Sequence, residues 1–226
     1  MILSLAAVGL APGLGSTGGT TTAPIVDDES PVAAETPQGL PTFGGPQDTI
    51  DVTRSYEARI STDQGEIVVA LDTENAPAAS NSFAFLAGQN FYDGLEFFWV
   101  IPGFDAQAGD PTCTTNEEFT CTGTGGPGYT LPREGNEAST RWSVIAPVTV
   151  AGGDLLHGSQ FVISMSDAGN FEGTVLGQIV EGQEILEALE ARQPCFGSQT
   201  ADSGDCQSEG ELASPLVIEN VVVAPA

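Results

Sequence analysis

Between Tyr56 and Leu71 apolar and polar positions alternate on either side of Thr62, Asp63, Gln64 and Gly65, a pattern that predicts two short strands joined by a turn. The second strand carries Ile67, Val68, Val69 and Ala70. The period then lengthens. Asn75, Ala76 and Pro77 supply a helix start, and Phe83, Leu86 and Ala87 recur on one helical face as far as Gly88. A second helix is predicted from Gln183 to Arg192, where Ile185, Leu186 and Leu189 share a face. The remainder reads as short β-branched or aromatic runs punctuated by glycine: Phe97 to Ile101, Ser143 to Ala146, Phe161 to Met165, Val175 to Val180 and Leu216 to Val223. Many short strands and two helices predict a mainly-β domain, a closed barrel capped by helices.

Ahead of this pattern lie two segments of different character. Residues 1–15 are apolar and uncharged but reach Pro12 after about eleven residues, short of the ~20 needed to span a bilayer. They read as the remnant of a signal or membrane anchor that begins outside the sequence given, the alternative being a floppy N-terminus. That reading carries an expectation of an extracytoplasmic location, secreted or tethered to the membrane. Residues 16–51 turn to Thr, Gly, Pro and acidic residues, with five prolines from Pro24 to Pro46. Such a composition buries too little apolar surface to offset ordering entropy and predicts a disordered linker. The folded domain is accordingly expected over residues 52–226.

Charge narrows the set of partners. The 226 residues carry 31 acidic side chains against five arginines and no lysine, a net charge of −26. A surface of that sign repels phosphates, which excludes nucleic acid and anionic membrane surfaces as partners and favours a soluble monomer. Four cysteines form two close pairs, Cys113 with Cys121 and Cys195 with Cys206, in polar loop-like segments. Zinc would call for CxxC spacing or nearby histidine, and His157 is the single histidine, so local disulfides are the better reading although three connectivities exist. Closing each pair on itself would contribute about 2.5–3 kcal/mol in the chain-entropy account and points to an oxidising compartment. Asp202, Asp205 and Glu209 lack the spacing of a calcium loop, and no metal or other cofactor is implied.

The order of the motifs carries more information than any one of them. From Ala76 the chain runs APAASNSFAFLAGQNFYDGLEFFWVIPGFDAQAGDP, then TGTGGPGYTLPRE, GSQFVIS and GTVLGQIVEGQEIL. This succession resembles the cyclophilin family of peptidyl-prolyl cis-trans isomerases over nearly all of the predicted domain. The resemblance implies a closed eight-stranded antiparallel β-barrel capped by two α-helices, with an external groove that takes proline-containing peptides or unfolded proteins. It implies Phe104 as the floor of the proline pocket, Gln107 and Gln160 as polar groups beside it, Gln107 being a catalytic position, and Phe98, Phe161, Val162 and Phe171 as further substrate-binding positions. TGTGGPGY superficially matches a phosphate loop, but no lysine and no following helix support that reading.

The departures from the family pattern fall in the groove. Where the family reads FHRVIPGF, with an arginine that assists rotation, this chain reads FFWVIPGF, placing Phe98 at the histidine and Trp99 at the catalytic position. An indole offers one N–H and no charge. Loss of such a donor costs about 2.7–4 kcal/mol of transition-state stabilisation, or two to three decades in rate. Val162 stands for an aromatic and Asp105 for an apolar residue, while Asn170 and Phe171 fall near a Trp-Leu pair. His157, just before GSQF, is expected to be a solvent-facing loop residue. The expectation is an isomerase of reduced activity that assists protein folding outside the cytoplasm. The alternatives are a non-catalytic module that binds proline peptides and a structural surface protein.

Overall fold

The computed structural model describes residues 39–226 apart from 117–118, 136–137, 152–153, 169–170, 197–198, 200–203, 205 and 208–211. The expected anchor remnant, the linker as far as residue 38, and Asn170, Asp202, Asp205 and Glu209 lie outside the described residues.

The first alternating stretch forms the hairpin β1 (Tyr56–Thr62) and β2 (Gly65–Leu71), paired from Glu57 with Ala70 to Thr62 with Gly65. Helix α1 (Pro77–Gly88) follows with no side-chain cap from its own N-cap residue. Its first amides are satisfied from a distance: Ala78 and Ala79 N–H donate to the two Glu134 carboxylate oxygens at 3.0 and 2.7 Å. Pro77 removes one orphan donor, and the negative charge lies at the helix's positive end. Phe83 and Leu86 enter the main core, and the Phe85 ring meets Phe43 edge-on at 5.3 Å. Phe43 belongs to residues 39–51, within the stretch that composition assigns to the linker. That stretch lies against α1, with Thr49 and Ile50 N–H donating to Asn81 Oδ1.

The chain continues through β3 (Trp99–Ile101), β4 (Asp105–Ala108), β5 (Leu131–Pro132), β6 (Ser143–Pro147), β7 (Thr149–Ala151), β8 (Asp154–His157), β9 (Phe161–Ser164), β10 (Gly173–Glu181), α2 (Gln183–Glu187) and β11 (Ile218–Pro225). Eight strands form one antiparallel sheet in the order β11-β1-β2-β10-β6-β9-β4-β3, and β5, β8 and β7 form a small second sheet. Inward residues of the large sheet, among them Ile60, Val69, Ile163 and Ile218, pack with α1 and the Phe97 and Phe161 rings into one apolar core. Closeness there is absolute at Gly177, where a Cβ would strike the Ala70 carbonyl.

The strand count, the antiparallel pairing and the two helices agree with expectation, but the closed barrel does not. The sheet is an open half-barrel whose end strands, β3 and β11, share no ladder. The cause lies at β3, where the Val100 backbone exchanges hydrogen bonds of 2.7 and 3.0 Å with Arg192. The edge that closure would require is thereby occupied by the segment after α2. Among the described residues, the far edge is met only by the segment ahead of β3: Gly94 and Phe97 N–H donate to the Ile218 and Leu216 carbonyls, and Ile218 N–H donates to the Leu95 carbonyl, around an isolated bridge between Glu96 and Val217. The same pairing explains why α2 stops at Glu187 instead of reaching Arg192: the chain must unwind to lay Arg192 alongside β3.

Both cysteine pairs are closed locally, Cys113 with Cys121 and Cys195 with Cys206, which resolves the connectivity left open by spacing. Among the described residues no helix is long and apolar enough to cross a membrane.

Candidate functional site

Strand register sorts the site residues by face. Trp99 pairs with Gln107 and Gln107 with Val162; Ile101 pairs with Asp105 and Asp105 with Ser164. The intervening Val100, Ala106 and Ile163 belong to the core. Alternation therefore puts Trp99, Gln107 and Val162 in one row on the outer face, with Ile101, Asp105 and Ser164 in the next.

Phe104 occupies the turn between β3 and β4. Its backbone is held by bonds from Phe104 N–H to the Ile101 carbonyl and from Met165 N–H to the Phe104 carbonyl, yet its side is 38% exposed. The Phe171 ring lies 5.5 Å away. An exposed aromatic on a fixed turn, with a second ring beside it, offers an apolar platform.

Beside the platform runs a polar network. Gln107 Nε2 donates to Gln160 Oε1 at 2.7 Å, and Gln160 Nε2 donates to the Gly125 and Gly123 carbonyls at 2.9 and 3.2 Å. The glycine loop is anchored from below by buried Asp110, whose carboxylate accepts from Gly125 N–H at 2.8 Å and from Thr112 N–H and Oγ1 at 2.7 Å each. A Cβ at Gly125 would collide with that carboxylate, so the GDP motif and the TGTGG motif are two halves of one joint. Gly109 meets the Ser159 carbonyl as closely, and Ser159 Oγ donates to the Gly109 carbonyl at 2.7 Å.

A cavity of about 300 Å³ opens behind the network, between the Gly123–Pro127 loop and the Leu156–Gln160 segment. Gln107 and Gln160 line it, whereas Trp99, Phe104 and Phe171 do not. His157 lines it as well and is only 3% exposed. The expected solvent-facing loop histidine is thus a buried strand residue, paired in register with Leu131. Burial holds its pKa below the ordinary histidine value.

The other expected site residues divide. Val162 lies on the outer face but is 4% exposed. Phe161 points the other way, its ring packed with Phe83, Tyr92 and Phe97. Phe98 is buried and meets Phe196 at 6.0 Å. Trp99, half-buried, stacks on the same ring at 6.3 Å. Phe196 also covers Gly123, where a Cβ would come within 3.1 Å of it. Nothing in the motif order pointed to Phe196; its one signal is the adjacent Cys195, which ties the segment down.

All five arginines are engaged elsewhere. Arg59 binds Glu57 and Glu66, Arg133 donates to the Gly173 carbonyl, Arg141 binds Glu187, and Arg192 binds Glu96 and the Ala213 carbonyl. Arg54 lies over the Tyr56 ring on β1. The outer face does carry an unusual acid. Asp105 is 8% exposed, its Oδ1 has no hydrogen-bond partner, and burial raises its pKa to about 6 against the opposing pull of an Ile101 backbone hydrogen bond.

Comparison with known proteins decides the family. Residues 58–221 match the family described as cyclophilin type peptidyl-prolyl cis-trans isomerase/CLD. The chain belongs to this cyclophilin family. Among its relatives, peptidyl-prolyl cis-trans isomerase B of Bacillus subtilis (strain 168) is 39% identical over 131 residues, covering 56% of this chain and 85% of the relative. Peptidyl-prolyl cis-trans isomerase A of Mycobacterium tuberculosis (strain ATCC 25618 / H37Rv) is 30% identical over 186 residues, covering 74% and 91%. The crystal structure of a Cryptosporidium parvum cyclophilin type isomerase superposes with a TM-score of 0.58 at 23% identity, covering 76% of this chain and 99% of that one. That protein has also been crystallised in the presence of the dipeptide Ala-Pro.

Proposed function

We propose that this cyclophilin binds proline-containing segments of unfolded proteins and isomerises them with reduced turnover, outside the cytoplasm. The observation that carries the reading is the Gln107–Gln160–glycine-loop network set beside an exposed Phe104 in a chain whose arginines are all committed elsewhere.

Rotation about an X-Pro bond must break amide resonance, a barrier of about 18–20 kcal/mol, and needs no covalent step. The domain has what is needed to hold the substrate. Phe104 and Phe171 receive the proline ring, and Gln107, oriented by Gln160, presents its amide to the peptide backbone. Phe98 and Phe161 back this surface from the interior, and Val162 closes it from β9. Stabilisation of the twisted amide falls to Trp99, whose N–H is an uncharged donor. Binding without a charged donor lowers KM more than it raises kcat.

The two disulfides suit an oxidising location, and the acidic surface suits a soluble monomer. The Trp99–Phe196 stack favours the second reading, a module that binds proline peptides without turning them over. Exchange NMR on a short Ala-Pro peptide with sub-stoichiometric protein separates the two. Cis–trans cross-peaks faster than the uncatalysed tens of seconds are expected; shifted signals without exchange would leave binding alone, and neither change would overturn both.

A further inference from the structure

The outer face places a carboxyl where a proline pocket has no evident use for one. Asp105 follows Phe104 directly, and its two sheet neighbours are Ile101 and Ser164. Ser164 Oγ is turned to the Ser166 carbonyl, so it leaves the carboxyl without that donor. The Ile101 backbone hydrogen bond eases the charge on the carboxyl only in part, and Oδ1 is buried with no hydrogen-bond partner. The charged side chains borne by surrounding elements are also committed or of the same sign. Arg192, behind β3, binds Glu96; Arg141, ahead of β6, binds Glu187; Asp167 and Glu172 follow β9, and Glu172 faces Arg133. An unpartnered buried acceptor is destabilising by itself and becomes favourable when a ligand supplies the missing donor.

We propose that Asp105 is a specificity-determining residue that makes this groove select proline peptides with a basic side chain next to the proline. The inference rests on the groove reading above. A lysine or arginine beside a proline seated on Phe104 brings its cation to a carboxyl one residue away, in a region sheltered from water. A charge-assisted hydrogen bond there is stronger than a neutral one. An acidic side chain in the same place meets like charge.

The test measures Kd by NMR titration of the whole chain with acetylated tetrapeptides containing lysine, norleucine or glutamate beside a proline, in one series before it and in another after it. In at least one series lysine is expected to bind about tenfold or more tighter than norleucine, and glutamate weakest. Asp105→Asn removes the lysine preference, and Asp105→Leu removes it while tightening norleucine binding. Glu219→Gln, an exposed change on β11 that alters net charge equally, retains it. High salt, which screens long-range attraction to the acidic surface, also leaves it in place. The preference fades as pH falls through about 6. Equal binding of lysine and norleucine peptides by the unsubstituted protein, or a preference that survives both Asp105 variants, overturns the proposal. Failure of every proline peptide to bind overturns the groove reading with it.

Discussion

Trp99 and Phe196 stack with ring centroids 6.3 Å apart and planes 27° apart, joining the start of β3 to the base of a disulfide loop. The same platform suits a guanidinium, which stacks on aromatic faces as an indole does. Trp99→Arg is therefore expected to place a charged donor on the outer face with Phe196 holding its plane. The expected gain in the catalysed exchange rate is about two decades, read by exchange NMR on an Ala-Pro peptide. An unchanged rate would show that the tryptophan is not the defect.

Gln160 makes three of the bonds that order the polar side of the groove. Gln160→Ala frees the Gln107 amide and the Gly123 and Gly125 carbonyls, while the Gly125 N–H stays bound to the Asp110 carboxylate. Peptide affinity is expected to fall about tenfold, while chemical denaturation shows a loss of only about 1 kcal/mol, because water reaches the freed groups. A folding loss of several kcal/mol would make Gln160 a structural residue instead.

The disulfides staple loops outside the main sheet. Removing the first with a Cys113→Ser, Cys121→Ser double variant is expected to cost up to about 2.5 kcal/mol and to lower Tm by about 5–10 °C. Cys113 is buried, its carbonyl accepts from Glu96 N–H at 2.9 Å, and its loop leads into the TGTGG joint. Calorimetry of the double variant checks the magnitude, and an unaltered Tm would mean that the Asp110 joint alone sets the loop.

The hairpin and α1 were legible because their periods are local: alternation fixes β1 and β2, and Pro77 to Gly88 bounds the helix. β4 escaped the pattern because Asp105–Ala108, DAQA, has no β-branched residue; only its motif marks it. His157 escaped because its burial comes from β5 and the glycine loop, both remote in sequence. The open edge of the sheet depends on a backbone pairing between Val100 and Arg192, and backbone pairing leaves no residue signature. In the candidate site, the motif order singled out Phe104, Gln107 and Gln160 as expected positions, whereas Phe196 reaches Trp99 only through a loop for which the motifs have no counterpart.

Asp105 also makes a prediction about stability that needs no ligand. Its folded pKa, about 6, lies above the ordinary carboxyl value of 3.8, because burial disfavours the charge. Between those values the folded state holds the proton more tightly than the unfolded chain does. Stability linked to this group is therefore complete below about pH 4 and is lost as pH rises through about 6. A displacement of this size corresponds to at most about 3 kcal/mol. Asp105→Asn keeps the shape and removes the charge, so it is expected to stabilise the protein by about 1–3 kcal/mol at pH 7.5 and by little at pH 4. Buried His157 acts in the opposite sense, because its depressed pKa lowers stability as pH falls below about 6.5, and it does so equally in both proteins. The difference between the two melting curves thus isolates Asp105. A gap that persists unchanged at pH 4 would show that the carboxyl is not the titrating group.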